Sequence, residues 1–429
     1  MQTYKLNLAL LLLYKLVMDF FYIRYISTIW KDVKWCPIKP NIADETVSWI
    51  IYVAILLLIM PMLKKKFADY LFSEYVLLFL LLFSVVPELS ICGAGTFSKK
   101  YFGLLNIYWM LMFLLYRFSF FEKEKDLLQL SFLSTLWKER VFQLICIVCA
   151  GTLTFVFLYY GNGQFFADSP ISSTVYEIRA EWSKIYITMP FFVRYIIANA
   201  SMILCFLLLY LLDGKRYLLA GGVCLIQYMN FSCGAKKIDL FMMILCLVVY
   251  VLREYMDIKW VVGLVAGCVL FIIGMYEFYG NWGFMGVGKR AFFLPNMISW
   301  CYYDFFRKHL PIIGSLFGIE TVSKADVPNI IGLEYGRSAI GTYANSGLFG
   351  DAVMMFGAYG AIIVPVLWSL YLFILDKASR NVTFTIKMGI GFCWAFLMQN
   401  SYMTTSMLSH GGVMLLVLFC LLNEIKKEI

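Results

Sequence analysis

Histidine is nearly missing from this chain, and charge is scarce. His309 and His410 are the only two histidines in 429 residues, too few for a multi-histidine metal site. Only 15% of the residues are charged and 62% are hydrophobic, against about a quarter charged and about half apolar in a soluble domain. A soluble fold is therefore excluded. The sequence has no Walker-type phosphate loop, zinc motif or nucleophile elbow, and no fixed-period repeat or low-complexity tract. Those absences argue against an ATP-driven pump, and nothing calls for a metal or other cofactor. The 12 cysteines fall mostly inside apolar runs (Cys146, Cys149, Cys205, Cys246, Cys268, Cys420), with neither ligand spacing nor a secreted disulfide pattern. They read as small apolar packing residues.

What is present is a succession of hydrophobic runs of about 17 to 25 residues, each long enough to cross the hydrocarbon core as a helix. Short alternating strands would not produce such runs, so a β-barrel is ruled out. The expected fold is an all-α polytopic membrane protein of about 12 transmembrane helices. The spans are placed at 7–27, 47–63, 73–91, 102–120, 141–161, 191–212, 217–232, 238–252, 259–279, 351–375, 386–403 and 411–424. The first run is longer than a signal-peptide core and lacks a small-residue cleavage site, so it is read as a retained span. Lysine and arginine cluster at Lys64–Lys66, Arg117–Arg140, Lys215–Arg216, Arg253–Lys259 and Lys377–Lys387. By the positive-inside rule these are cytoplasmic, which places both termini in the cytoplasm. The net charge of +9 is then a matter of topology and does not imply a nucleic-acid partner.

One membrane domain, 1–429, follows: N-terminal spans 1–161, an exoplasmic loop 162–190, central spans 191–279, a long exoplasmic loop 280–350 and C-terminal spans 351–429. The spans carry few charges, which argues against an ion-coupled carrier. Charge concentrates in the outer loops, and long loops are more often functional than idle.

The loop at 162–190 contains VYEIRAEWSK, with Glu177, Arg179, Glu181 and Lys184. Alternating charges commonly form a solvated helix face. Arg179, beside apolar Ile178 and Trp182, suits phosphate binding, and Tyr176 and Trp182 could stack on sugar rings or pack at the interface. Lys236 and Lys237 stand on the outer side in a tight turn, either snorkelling to headgroups or forming an anion site. In the longest loop Lys289 and Arg290 precede AFFLP, and Trp300–Phe306 form an aromatic belt. Asp304 lies within that belt, as a general-base candidate or as the anchor of a local arginine. Then comes NIIGLEYGRSAIGTYANSGLFGDAVMMFGAYG, whose glycines allow an irregular loop and then close helix packing. Arg337 precedes a small polar run, and Asp351 sits where an acid complements a helix dipole.

KRAFFLPNMISWCYYDFF, followed by the Ala-Asn-Ser-Gly-x-x-Gly-Asp and Phe-Gly-x-x-Gly patterns, resembles the Wzy-type polymerases that join oligosaccharide repeat units of bacterial O-antigens and capsules. Tyr176-Glu177-x-Arg179 and the lysine-containing turn at 232–237 look like the same family. The resemblance covers the second half of the chain. It implies a glycosyltransferase with a GT-C-like architecture in the bacterial cytoplasmic (inner) membrane, using undecaprenyl-diphosphate-linked oligosaccharides on the outer face. It also implies a chain-length regulator and a flippase as partners, beside the lipid bilayer itself. Arg290, Arg337 and Arg179 are the expected charge-stabilising residues. Lys236, Lys237, Lys289, Glu177, Tyr176, Trp182 and Asn345 are expected to contact the diphosphate or sugars. Asp304, then Glu177, then Glu334 are the candidate bases. The alternatives are an O-antigen ligase-like transferase and a lipid-linked oligosaccharide flippase.

Overall fold

The computed structural model describes residues 2–30, 41–95, 97–117, 135–166, 174–280, 282–336 and 344–425, and every regular element among them is a helix. Hydrocarbon offers backbone N–H and C=O groups no partner, so an apolar segment satisfies them internally by coiling. In chain order the α-helices of six residues or more are α1 (Gln2–Phe21), α2 (Ile42–Leu58), α3 (Phe72–Leu80), α4 (Val86–Gly93), α5 (Lys99–Arg117), α6 (Thr135–Tyr159), α7 (Thr174–Thr188), α8 (Phe191–Asp213), α9 (Tyr217–Gly234) and α10 (Lys237–Leu252). They continue with α11 (Ile258–Tyr279), α12 (Trp282–Gly288), α13 (Leu294–Phe306), α14 (Val327–Tyr335), α15 (Leu348–Phe356), α16 (Gly360–Ala378), α17 (Phe384–Asn400), α18 (Met403–Leu408) and α19 (Gly412–Ile425). Among the described residues, seven stretches are long and apolar enough to span a membrane. Other expected spans are helical but shorter: α2 has 17 residues, α10 has 16 and α17 has 17. The protein is an all-α, multi-pass membrane protein.

The segment from 280 is not the open loop that its charges suggested. A π-turn, Lys289–Phe293, joins α12 to α13, and this bent helical unit is driven into the bundle by its own rings. Phe293 packs 5.2 Å from Tyr22 and 5.6 Å from Phe21, while Phe292 stacks at 4.9 Å on Phe83. Phe83 lies halfway along the span Phe72–Gly93, so the unit reaches the middle of the bundle.

The run at 351–375 is also not one helix. After α15 the chain turns at Gly357, φ +61°, and α16 folds back so tightly that a Cβ on Gly360 would lie 2.0 Å from the Ala352 carbonyl oxygen. In a straight helix those residues would be about 12 Å apart.

The spans are less free of charge than their hydropathy implied, because single ionisable residues vanish in an average over apolar neighbours. Lys15 pairs with Asp19 and lies 5.2 Å over the Trp49 ring, and Glu88 accepts a 2.6 Å bond from Trp109 Nε1. Glu74, Asp239 and Asp351 are also buried. Among the described residues the cysteines are buried or half-buried, as expected, except that Cys268 is exposed on α11. Cys205, Cys246 and Cys393, remote in sequence, bring their sulfurs within 4.8 Å of one another. Surrounded by apolar helices, they read as packed thiols, since three buried thiolates would be costly.

A second π-turn, Leu81–Val85, holds the bundle together. It ends with the Val86 N–H bonded to Leu81 O, and the next donor is lost because residue 87 is proline. The exposed carbonyls are bonded by side chains from three other helices. Tyr14 donates to Leu82 O at 2.7 Å, Gln399 to Phe83 O at 2.7 Å and Asn296 to Ser84 O at 3.3 Å. One break in one helix thus fixes α1, α13 and α17 around it.

Candidate functional site

At one end of the bundle α7 lies against the turn between α9 and α10. The turn is made by Ala235, in the left-handed region at φ +45°, after Gly234, where a Cβ would lie 3.3 Å from the Trp182 indole. Arg179 Nε donates to Ala235 O at 3.0 Å, which ties α7 to the turn. Lys236 is exposed, with Nζ 5.9 Å from the Tyr186 ring. Tyr186 in turn donates to Arg194 O at 3.1 Å. Beneath the turn Asp239, 3% exposed, accepts from Ser201 Oγ and, at 3.3 Å, from Asn230 Nδ2. Lys236 and Arg179 are the cations whose fields reach its carboxylate.

His410, between α18 and α19, also lies within the field of Lys236. Its Nδ1 is 3.1 Å from Ser409 O, which places the proton on Nδ1 and leaves Nε2 as an acceptor. A buried acid therefore lies beneath a turn that carries Arg179 and Lys236, with the free Nε2 of His410 in the field of the same lysine, a set suited to binding an anion.

Across α18 a second group joins the broken helices. Tyr302 and Tyr402 share a 2.6 Å hydroxyl contact, and Tyr302 also donates to Ala344 O at 2.9 Å. Met403 N–H donates to Asp351 Oδ2 at 2.7 Å, and Lys324 donates to Thr404 Oγ1 at 2.7 Å while lying 5.2 Å from the Tyr402 ring. The N-terminus of α15 begins deep in the bundle, because Gly347 sits against Met398 O, where a Cβ would come within 2.2 Å.

The residues expected from the sequence divide accordingly. Arg179 and Lys236 are brought together, with Lys237 next in the chain. Glu177 is exposed on α7, and the Tyr176 side chain lies outside the described residues. Trp182 is 7% exposed and packs on the turn, so it is a wedge and not a sugar platform. Asp304 is the anchor of local cations and not a free base: it pairs with Arg307 and Lys308, each at 3.0 Å, and accepts from Tyr335 at 2.8 Å. Burial works to raise its pKa, but Lys308, Tyr335 and Arg307 outweigh it and hold the carboxyl below its ordinary value. Lys289 and exposed Arg290 lie on the π-turn beside α4 and α12, a different packing group from α7, α9 and α10. Glu334 and Asn345 are exposed, and Arg337 lies outside the described residues. Asp351 is in the first turn of α15, as the dipole reading has it, and also ties α15 to α18.

Sequence reasoning missed Asp239 and His410. Asp239 was legible as an acid two residues after a lysine pair; His410 carried no motif. No family model matches the chain, and no curated protein or solved structure is similar to it.

Proposed function

We propose that this protein is a membrane glycosyltransferase of the Wzy type, polymerising undecaprenyl-diphosphate-linked oligosaccharide repeat units on the outer face of the bacterial cytoplasmic membrane. The observation that carries this reading is the convergence of Arg179 and Lys236 over buried Asp239, with His410 alongside. On the positive-inside reading of the basic loops, this end of the bundle faces the exoplasm.

A sugar hydroxyl of the acceptor attacks the anomeric carbon of the donor. The bond from that carbon to the diphosphate oxygen breaks, and its electron pair leaves with the diphosphate. Arg179 and Lys236 stabilise the charge that accumulates there. The hydroxyl proton passes to His410 Nε2, which takes the place that the sequence alone gave to Asp304. Undecaprenyl diphosphate leaves, and the lengthened glycan stays on the acceptor lipid. Asp239 holds the cations in register without touching substrate.

Deletion of the gene tests the reading. Single repeats on the final carrier where a ladder stood would support a polymerase; loss of all attachment with free lipid-linked polymer would identify a ligase-like transferase. The buried Lys15–Asp19 pair, Glu88 and Asp351 favour a second reading as a lipid-linked oligosaccharide flippase, because intramembrane ionisable residues commonly mark a translocation path. Accumulation of single units on the cytoplasmic side would establish that alternative. Lys236→Ala at unchanged membrane level is expected to shorten the ladder, and an unaltered ladder would remove this cluster from the mechanism.

A further inference from the structure

Behind α13 lies a groove of about 660 Å³ that the proposed reaction does not use. Its floor is one face of α5, Gly103, Leu104 and Ile107, and its wall is Tyr303 and Phe306 of α13 with Phe356 of α15. Ile107 is 48% exposed, so the groove opens sideways, toward lipid. Lys100 and Arg307 stand at its rim. From Lys100 to Ile107 the floor descends two helical turns, about 10 Å. Its chemistry thus changes along its length, from cations at one end to an uninterrupted apolar strip.

The groove does not communicate with the cluster around Lys236. On α13 neighbouring side chains diverge by about 100° around the axis: Tyr302 bonds Tyr402 on the inner side, and Tyr303 lines the groove. On α15 Asp351 bonds the backbone at Met403, and Phe356 lines the groove. The two helices close against each other, with a Cβ on Gly350 lying 3.2 Å from Ser299 Cα. An amphiphile seated here has its head separated from the proposed reaction centre by that wall.

We propose that this groove binds an anionic phospholipid, its phosphodiester between Lys100 and Arg307 and one acyl chain along Gly103, Leu104 and Ile107. The charge balance fits one such headgroup. Asp304 already receives Arg307 and Lys308, and Lys100 has no carboxylate partner among the described residues, so the rim is left net positive. The bound lipid braces the outer side of α13 and α15, whose inner sides carry Tyr302 and Asp351. This inference stands on the groove alone and does not depend on the reaction proposed above.

The full chain, purified in detergent, is to be incubated with dioleoylphosphatidylglycerol, dioleoylphosphatidylcholine or undecaprenyl phosphate, and retained lipid counted by native mass spectrometry. Phosphatidylglycerol is expected to be retained at roughly fivefold lower concentration than phosphatidylcholine, the effect of one basic residue on an anionic headgroup. Lys100→Ala is expected to abolish that preference. Gly103→Leu, placed where an added Cβ meets nothing within 4 Å, is expected to prevent retention of either phospholipid without unfolding the chain. Should Gly103→Leu misfold, Lys100→Ala still decides the matter. Equal retention of the two phospholipids, or a preference that survives Lys100→Ala, would overturn the proposal. Displacement of phosphatidylglycerol by equimolar undecaprenyl phosphate would likewise overturn it, assigning the groove to a polyprenyl lipid.

Discussion

Tyr14 and Tyr52 are both 0% exposed, and each donates a 2.7 Å hydrogen bond to a backbone carbonyl. The acceptors differ. Tyr52 bonds Leu11 O, inside the regular helix α1, which keeps its intrahelical partner if the hydroxyl is removed. Tyr14 bonds Leu82 O, inside the π-turn that precedes Pro87, where no backbone donor replaces it. Tyr52→Phe therefore loses one ordinary hydrogen bond, about 0.5–1 kcal/mol. Tyr14→Phe loses a bond and orphans a buried acceptor, about 1–3 kcal/mol. The expected difference is about 1 kcal/mol, a fivefold change in the unfolding equilibrium. Reversible unfolding in mixed micelles, titrated with dodecyl sulfate and followed by tryptophan fluorescence, measures both variants on one scale. Adding Pro87→Ala returns one N–H to this stretch, and is expected to lessen the cost of losing the side-chain donor to Leu82 O or Phe83 O. Equal costs for the two tyrosine variants would refute the claim that the π-turn depends on side-chain donors.

Gly360→Ala should destabilise the fold by at least about 1–3 kcal/mol, because its Cβ would meet backbone atoms of Ala352 at 2.0 and 2.4 Å. Gly221→Ala, in open space on α9, should be neutral or better by the same unfolding titration. His410→Gln should lower polymer yield by about 10²–10⁴ with membrane level unchanged, as read from ladder intensity. Because the folded pKa of Asp304 is depressed, its stabilisation is present above the ordinary carboxylate value and is lost only as pH falls through the lower folded value. The protection of α14 amides against hydrogen exchange, taken relative to the intrinsic rate at each pH, should accordingly stay flat from neutral pH down to about 4, and Asp304→Asn should lower it throughout that range.

The helices were legible because bilayer physics leaves an apolar run few choices. Where helices break was half-legible. Pro87 and Pro295 mark two of the three π-turns among the described residues, whereas Tyr22–Ile26 has no proline to mark it; Gly357 and Gly360 mark the reversal after α15, yet hydropathy read 351–375 as one span because a reversal between apolar residues does not change an average. Of the candidate site, Arg179 and Lys236 could be selected by charge and expected sidedness, although the bond from Arg179 to Ala235 O that ties α7 to the turn could not be read from the sequence. Asp304 was placed correctly as an acid among rings, but its role depended on Arg307 and Lys308, one turn further along the same helix. His410 gave no signal, because its meaning comes from Lys236, far away in sequence and near only after α8, α10 and α19 have packed.

The carbonyls of Leu82, Phe83 and Ser84 also impose an order in time on biosynthesis. Tyr14 has been made before them, but Asn296 and Gln399 follow their acceptors by 212 and 316 residues. While those later segments are still being synthesised, two of the three side-chain donors do not yet exist and the stretch at 82–84 remains incompletely bonded in the bilayer. The bundle therefore cannot mature helix by helix as it emerges. Its oldest flaw is closed by its newest parts, so a nascent chain that stalls short of Gln399 leaves the Phe83 carbonyl without its side-chain donor.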